Sequence, residues 1–430
     1  MNSASKTLLY NGLPAVWSDG EWIVFSPYTQ QVIRLSQDEV DDPRTKGELN
    51  QLDFFSSPSP GGPGEFADYY QVILIINGGC NLECVYCFAF DEESENRRMN
   101  EEAAFASIRY GIDESARRQR KLLLSFFGGE PTLVPDLVRS SVDYSRELAR
   151  CASLPNPIFS ISTNGVVSTE ILELLVNNKF TITISMDGVP NIQNTHRPLK
   201  GGFDSSRIVE KTISALLEAG ADFFVRATVT SASVCYMPKS ISYLRTLGVD
   251  RVHFEAVSIA GRAAFPTKGN SFGKPTAGAF ARYLIEAIEL GNELGVSVMN
   301  SSYMNFLQPA AHFCDGTGGN RIAITSDGLV STCLEVQSGC HPAVGRYVIG
   351  EFDKTSKQLT INTAKGKLLC SEIIASSAGC VDCFAKYICA GGCPIRNQHA
   401  TGSPFVIDPF NCEVVKTVLP FVIEMVDRSS

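Results

Sequence analysis

Six apolar runs recur between residues 69 and 260, each followed by a stretch of helical periodicity, and this alternation constrains the fold more than any other feature of the chain. The runs cover 71–77, 121–127, 158–162, 181–186, 222–230 and 251–257. Helical stretches lie between them at 101–119, 135–152, 168–178, 205–219 and 237–247. Strands alternating with helices imply parallel βαβ units with right-handed crossovers. The runs are nearly continuous in apolar residues, which predicts strands covered on both faces. In such folds the chemistry sits at the C-terminal ends of the strands.

The loops at those ends are the most distinctive pieces of the sequence. The first run leads into Cys80-Asn-Leu-Glu-Cys84-Val-Tyr-Cys87. The next three end in Gly128-Gly-Glu-Pro131, Ser162-Thr-Asn-Gly165 and Ser185-Met-Asp-Gly188. The fifth and sixth carry Arg226 and Glu255. Tetrahedral zinc and fully capped clusters take four protein ligands. Three thiolates on one loop suit a [4Fe-4S] cube with one iron open to a non-protein ligand. The alternative is a zinc half-site that borrows a distant fourth residue.

Cysteine usage extends the metal theme. Of fourteen cysteines, three lie at 80–87 and nine between Cys314 and Cys412. A reducing compartment makes a disulfide framework the wrong reading of such a set, and clustering points to metal. Cys151 and Cys235 stand apart and are expected to be buried apolar fillers. The net charge of -9 lacks the basic footprint of a nucleic-acid binder. No apolar stretch approaches the ~20 residues of a membrane span, and the N-terminus has no signal-like region. A cytoplasmic protein with neither nucleic-acid nor membrane partner is expected.

The remaining chain divides around this unit. Residues 1–55 read as a small β-rich module with runs at 14–17, 22–25 and 31–35, a hairpin turn at Ser18-Asp-Gly20, and a helix within 38–51. It either binds a peptide by strand addition or caps the next domain. Residues 56–68 are a Pro/Gly/Ser linker, 69–260 the βα unit, and 261–311 a bridging region with a helix at 276–294 and a strand at 296–299. Residues 312–430 hold the second cysteine array and end in an apolar helix, 414–426, expected to break or kink at Pro420.

Cys80, Cys84, Tyr86 and Cys87 match Cys-x3-Cys-x-aromatic-Cys, and the chain resembles the radical S-adenosylmethionine (SAM) enzymes there. The resemblance implies an α/β fold, a partial (β/α)6 TIM-like barrel. It implies a cluster on Cys80, Cys84 and Cys87 that binds SAM at its open iron. Gly128, Gly129 and Glu130 correspond to the segment that holds the methionine amine, with the glycines allowing close backbone approach and Glu130 accepting from the amine. Asn164, Ser185 and Arg197 are the implied contacts to ribose and carboxylate.

Cys314, Cys333, Cys380, Cys383, Cys389, Cys393 and Cys412 resemble the seven-cysteine SPASM domain, which holds two auxiliary iron–sulfur clusters. By that pattern Cys380, Cys383, Cys389 and Cys412 serve a distal cluster, and Cys314, Cys333 and Cys393 a proximal one. Its fourth position is left to Cys340, Cys370, a substrate thiol or an open iron. Three [4Fe-4S] clusters, SAM and an external reductant such as flavodoxin or ferredoxin are thus implied.

SPASM enzymes act mostly on peptides, so the expected activity is maturation of a ribosomally made precursor peptide by a side-chain crosslink. A sulfatase-maturating activity is the alternative; those enzymes have an aspartate after the cysteine that corresponds to Cys333, where this chain has Leu334 and then Glu335. A non-catalytic iron–sulfur or zinc interaction protein is the alternative of another class. Glu255, Asp187 and Glu335 are the candidate general bases. His196 and His253 are expected to pack rather than ligate.

Overall fold

A computed structural model describes residues 6–52, 54, 68–90, 96–264, 272–375, 380 and 382–429. The linker expected at 56–68 falls outside them except for Asp68.

The N-terminal module is an antiparallel sheet of β1 (Thr7–Tyr10), β2 (Leu13–Ser18), β3 (Glu21–Ser26) and β4 (Gln31–Leu35), in that order. The β2–β3 turn places Asp19 and Gly20 both at positive φ, 53° and 90°, as a two-residue hairpin with right-handed strand twist requires. Where the sequence predicts one helix there are two, Gln37–Asp41 and Pro43–Gln51. Pro43 cannot continue a helix as a donor, but it suits the first position of a new one, and the Asp42 side chain caps that helix. Leu13, Ala15, Trp22, Val24 and Leu35 pack under these helices with Leu49 and Phe54. Val16, Ile23 and Phe25 face the other way and join the core of the main domain. There the Phe25 ring stacks on Phe306 at 4.3 Å.

The main sheet has eleven strands. Six parallel strands form its centre: β5 (Tyr69–Asn77), β6 (Lys121–Gly128), β7 (Ile158–Thr163), β8 (Thr181–Ser185), β9 (Phe223–Val229) and β10 (Arg251–Ala256). This is the expected α/β unit. β11 (Ser297–Met299) adds to β10 in parallel. β12 (Arg321–Ile324) adds to β5, also in parallel, and β13 (Leu329–Ser331), β14 (Val348–Asp353) and β15 (Gln358–Ile361) continue from it as antiparallel strands. The boundaries expected at 260 and 312 therefore do not divide the sheet. The bridging and C-terminal segments each donate strands to its ends.

One expectation about burial is corrected. β5 is buried along nearly its whole length, but β7, β8 and β9 alternate. Phe159, Ile161, Ile182, Ile184, Val225 and Ala227 face the helices. Ser160, Ser162, Thr183, Ser185, Phe224, Arg226 and Thr228 are only partly covered on the other face. That inner face is a polar hollow rather than a packed core. Gln71 Nε2 donates to Ser125 Oγ at 2.8 Å, and Ser125 and Ser160 share a 2.6 Å hydroxyl contact across its floor.

The last helix runs from Pro409 to Ser429 with Pro420 inside it. Val414, Val415, Val418, Leu419, Val422 and Ile423 bury one stripe in the core, so packing holds the helix through the proline that the sequence predicts to break it. Among the described residues no helix is long and apolar enough to cross a membrane. Cys151 and Cys235 are exposed, not buried. Cys151 ends the helix Pro135–Cys151, whose buried positions include Leu137, Val138, Val142 and Ala149; two positions past Ala149 is about 200° round the helix, which takes Cys151 off that stripe.

Candidate active site

The three-cysteine loop is stitched to the neighbouring strand ends by backbone. Asn77 Nδ2 donates to Gly79 O at 3.1 Å and to Glu130 O at 3.0 Å. Gly129 N–H donates to Asn77 O, and Glu130 N–H to Gly79 O. A Cβ on Gly128 would lie 2.4 Å from Asn77 O, and one on Gly129 2.3 Å from Gly79 O. The close approach that these glycines permit is loop against loop.

Glu130 is a correction. Its carboxylate is wholly buried. Oε1 accepts from Thr132 N–H (3.0 Å), Thr132 Oγ1 (2.6 Å) and Thr163 Oγ1 (2.9 Å), and Oε2 from Asn164 N–H (2.7 Å). Burial raises its pKa against those hydrogen bonds. The side chain braces two strand ends and is not presented to a ligand's amine. Asn164 in turn reaches back to the cysteine loop, with Nδ2 2.7 Å from Asn81 Oδ1 and 3.5 Å from Cys80 Sγ.

The thiols of Cys80, Cys84 and Cys87 are packed into low-dielectric surroundings. Burial pushes Cys80 up to about 11 and Cys84 up to about 12, and the thiols influence one another in each pairing. Three mutually close thiols of raised pKa are a donor set that a cation deprotonates on binding. Two arginines face Cys84, Arg197 and Arg262. Arg262 donates from Nη1 to Cys84 O at 3.1 Å and from its backbone to Cys87 O at 3.0 Å. Nothing in the sequence singled out Arg262, which arrives from beyond the sixth strand.

Asp187 is fully engaged beneath this loop. Oδ1 accepts from Arg197 Nε (3.0 Å) and Thr228 N–H (2.8 Å). Oδ2 contacts His196 Nδ1 (3.0 Å) and accepts a short hydrogen bond from Tyr86 Oη. Burial presses its pKa upward, but Arg197, His196 and Tyr86 outweigh that and hold it at about 2. A carboxylate so committed cannot serve as general base. The aromatic residue of the cysteine motif is thus anchored through Asp187 to Arg197, whose Nη2 also reaches Thr228 Oγ1 at 3.3 Å. Ser185 lies at the end of β8, half-buried. His196 packs as expected, edge-on to Tyr86 at 5.5 Å.

The C-terminal cysteines separate into two neighbourhoods. Cys389, pushed up to about 12 by burial, is influenced by Cys380, Cys383 and Cys412. Cys333 is raised by burial and by Cys393 and Cys314. Cys389 and Cys393 are four residues apart yet belong to different sets. Between them Ala390, Gly391 and Gly392 all adopt positive φ, 47°, 78° and 72°. Three successive left-handed residues reverse the chain, which glycine permits and alanine tolerates at a cost of about 1–2 kcal/mol.

Cys340 is exposed, whereas Cys370 is buried and influenced by Cys314. Arg321 Nη2 lies 3.3 Å from Cys314 Sγ, another contact that sequence reading missed. Among the described residues no three cysteine sulfurs share a 4.8 Å neighbourhood; the one such group is Glu335, His341 and His399. A lone zinc ion with bonds of about 2.3 Å would draw its sulfurs closer than that, so the donor sets fit a larger cluster better.

Glu335, His341 and His399 bring a carboxylate oxygen and two ring nitrogens within 4.8 Å of one another. His341 Nδ1 accepts from Ala343 N–H at 3.1 Å, which puts the proton of the neutral ring on Nε2. Glu335 is pushed up to about 7 by burial, with Arg396 opposing, and lies 3.3 Å from His399 Nδ1.

Glu255 joins the two parts of the site. Its Oε1 pairs with Arg396 Nη1 at 2.5 Å and its Oε2 faces His253 Nε2 at 3.3 Å. Burial opposes ionisation, but Arg396, His253 and Arg226 hold the carboxyl well below the usual range. Glu255 is therefore a charge partner, not a free base. A cavity of ≈ 280 Å³ opens beside this pair, lined by Glu255, Ser258, Asn300, Cys393, Arg396 and His399 among others.

Comparison with known proteins agrees with this geometry. Residues 74–231 match the Radical SAM superfamily. A cysteine-type anaerobic sulfatase-maturating enzyme of Clostridium perfringens is 24% identical over 334 residues, covering 74% of this chain and 86% of that one. The radical SAM cyclopropyl synthase TigE of Paramaledivibacter caminithermalis is 23% identical over 380 residues, 82% of this chain and 73% of that one. An uncharacterised protein of Methanocaldococcus jannaschii is 28% identical over 187 residues, and the chain spans 62% of its length and 43% of its own. The structure of anSMEcpe with bound AdoMet and the Kp18Cys peptide aligns with TM-score 0.66 at 19% identity, over 84% of this chain and 98% of that one. Streptococcus suis SuiB bound to precursor peptide SuiA aligns with TM-score 0.55 at 15% identity, over 95% of this chain and 100% of that one. The non-catalytic alternative falls away: the chain carries a radical SAM domain and is an enzyme related to both sulfatase maturases and peptide-modifying enzymes.

Proposed function

We propose that this enzyme matures a ribosomally made precursor peptide by installing a side-chain crosslink, a thioether or a C–C or C–O bond. The observation that carries the reading is the cavity between Glu255 at the end of β10 and Cys393 of the C-terminal array. A side chain held there faces the barrel rim on one side and the second set of thiols on the other.

When bound, the cluster and SAM supply a 5'-deoxyadenosyl radical that abstracts hydrogen from unactivated carbon. Cys80, Cys84 and Cys87 would hold the cluster. Asn164 orients Cys80, and the Asp187–Arg197–Tyr86 network fixes the loop from below. Ser185 and the remaining Nη1 of Arg197 are the polar groups offered to SAM. Cys380, Cys383, Cys389 and Cys412 would hold one auxiliary cluster. Cys314, Cys333 and Cys393, with Cys370 beside Cys314, would hold a second. Glu335, buried beside His399, is the proton acceptor best matched to neutral pH. An external flavodoxin or ferredoxin would supply electrons in the cytoplasm.

The N-terminal sheet suits leader recognition by strand addition, because β1 pairs with β2 alone and β4 with β3 alone. Sulfatase maturation is the second reading, favoured by the maturase relatives. Leu334 after Cys333 counts against it.

The test is anaerobic co-expression with short peptides encoded beside the gene, followed by mass spectrometry. A peptide lighter by two hydrogens, with a new side-chain link in its fragment spectrum, is expected. A carbonyl trapped by hydrazide on a sulfatase-derived peptide instead would establish the second reading.

A further inference from the structure

Arg226 stands on β9 in register with Ser185 of β8 and His253 of β10. Its strand neighbours Val225 and Ala227 are buried toward the helices, so Arg226 shares the inner face with Phe224 and Thr228. Two residues toward the rim, Thr228 Oγ1 receives Arg197 Nη2. Arg226 therefore lies directly beneath the rim network. It is open to the hollow, yet burial by surrounding protein is the largest influence on it.

The other charges within reach are already matched. Asp187 is held by Arg197, and Glu255 by Arg396 and His253. Among the described residues the Arg226 guanidinium has neither a hydrogen bond nor an ion pair; its backbone carbonyl is engaged, accepting from Met186 N–H at 3.1 Å. Arg197 and Arg396 both act against its charge, so the hollow carries more cationic than anionic groups at this level. A guanidinium without a partner, open on this inner face, is free to take an anion, and its planar fork matches a carboxylate in two-point contact.

We infer that Arg226 is the anchor for a carboxylate of the peptide substrate, an aspartate or glutamate side chain near the modified residue, held in the hollow between Ser185 and His253. The position decides between the two carboxylates that enter such a site. The cofactor side has its own arginine at Arg197, beside Cys84. Arg226 is in register with His253, whose Nε2 faces Glu255 Oε2 at 3.3 Å, and Glu255 lines the substrate cavity. The inference rests on the peptide reading above.

The experiment uses the cluster-reconstituted full-length enzyme and two synthetic probes, acetyl-Gly-Gly-Glu-Gly-Gly-amide and its glutamine counterpart. Calorimetry should show the glutamate peptide binding about tenfold more tightly to the wild type, the scale of one added charge-assisted hydrogen bond. Arg226→Gln should erase that difference, Arg226→Lys should keep part of it, and SAM affinity by equilibrium dialysis should stay within about twofold of wild type. Equal binding of both peptides by the wild type would overturn the inference. So would a tenfold loss of SAM affinity in Arg226→Gln, which would make the carboxylate that of SAM. If glutamate is preferred but no co-expressed peptide is crosslinked, the anchor stands and the crosslinking reading fails.

Discussion

Arg396 Nη1 and Glu255 Oε1 are 2.5 Å apart, across the junction between the sixth barrel strand and the C-terminal cysteine array. Arg396 is three residues beyond Cys393, so this pair sets the distance between the rim and that array. Removing either partner leaves a largely buried charge unmatched, and Glu255→Ala or Arg396→Ala should each lower stability by about 3 kcal/mol. The double variant Glu255→Ala/Arg396→Ala should lose clearly less than the sum. Denaturant unfolding of the four proteins gives the cycle, and strict additivity would mean that the pair is not coupled.

Asp187 should make stability depend on acid. Its folded pKa is held below the unfolded value, so its contribution is complete above pH 4 and is lost as pH falls toward about 2. The depression corresponds to about 2 kcal/mol. Asp187→Asn should be less stable near neutrality and show a flatter decline between pH 4 and 2. Thermal melts across that range measure it.

Gly129→Ala should be among the most damaging single-methyl changes in the chain. The new Cβ would sit 2.3 Å from Gly79 O and 2.5 Å from Gly78 O, both backbone. The cysteine loop must move, and SAM affinity should fall at least about tenfold, while far-ultraviolet circular dichroism stays near wild type. Equilibrium dialysis of the reconstituted protein tests this.

Cys370→Ser should reduce the iron retained after reconstitution or alter its Mössbauer spectrum, whereas Cys340→Ser should leave both unchanged. The distinction follows from the burial of Cys370 beside Cys314 and the exposure of Cys340. Equal iron loss in both variants would mean that each cysteine takes part.

Phe25→Ala should loosen the N-terminal module from the rest. The Phe25–Phe306 stack at 4.3 Å lies in a fully buried position, and truncating such a ring costs about 3–5 kcal/mol. Thermal unfolding of the two proteins, followed by circular dichroism, measures the loss.

The barrel was legible because its information is local. Apolar runs gave all six strands nearly to the residue. What sequence could not supply was the direction of individual side chains. Glu130 and Asp187 lie in the loops where ligand contacts were expected, yet both point into protein because buried donors satisfy them better than solvent does. Arg262, Arg321 and Arg396 reach the site from distant segments, and no local pattern marks a long-range contact. β12–β15 were missed because short strands with polar alternation resemble loop in an array read mainly for cysteines.

The N-terminal sheet has one face under its own two helices and the other against the helix Pro409–Ser429, where Arg34 Nη2 meets Asp427 Oδ2 at 2.6 Å. Strands made early on the ribosome are therefore completed by a helix made late. At about 5–20 residues per second, that face waits roughly 20–80 s for its cover. Through that interval Val16, Ile23 and Phe25 remain an open apolar surface on a nascent chain. That face of the N-terminal sheet is thus covered only after every cysteine from Cys80 to Cys412 has been synthesised.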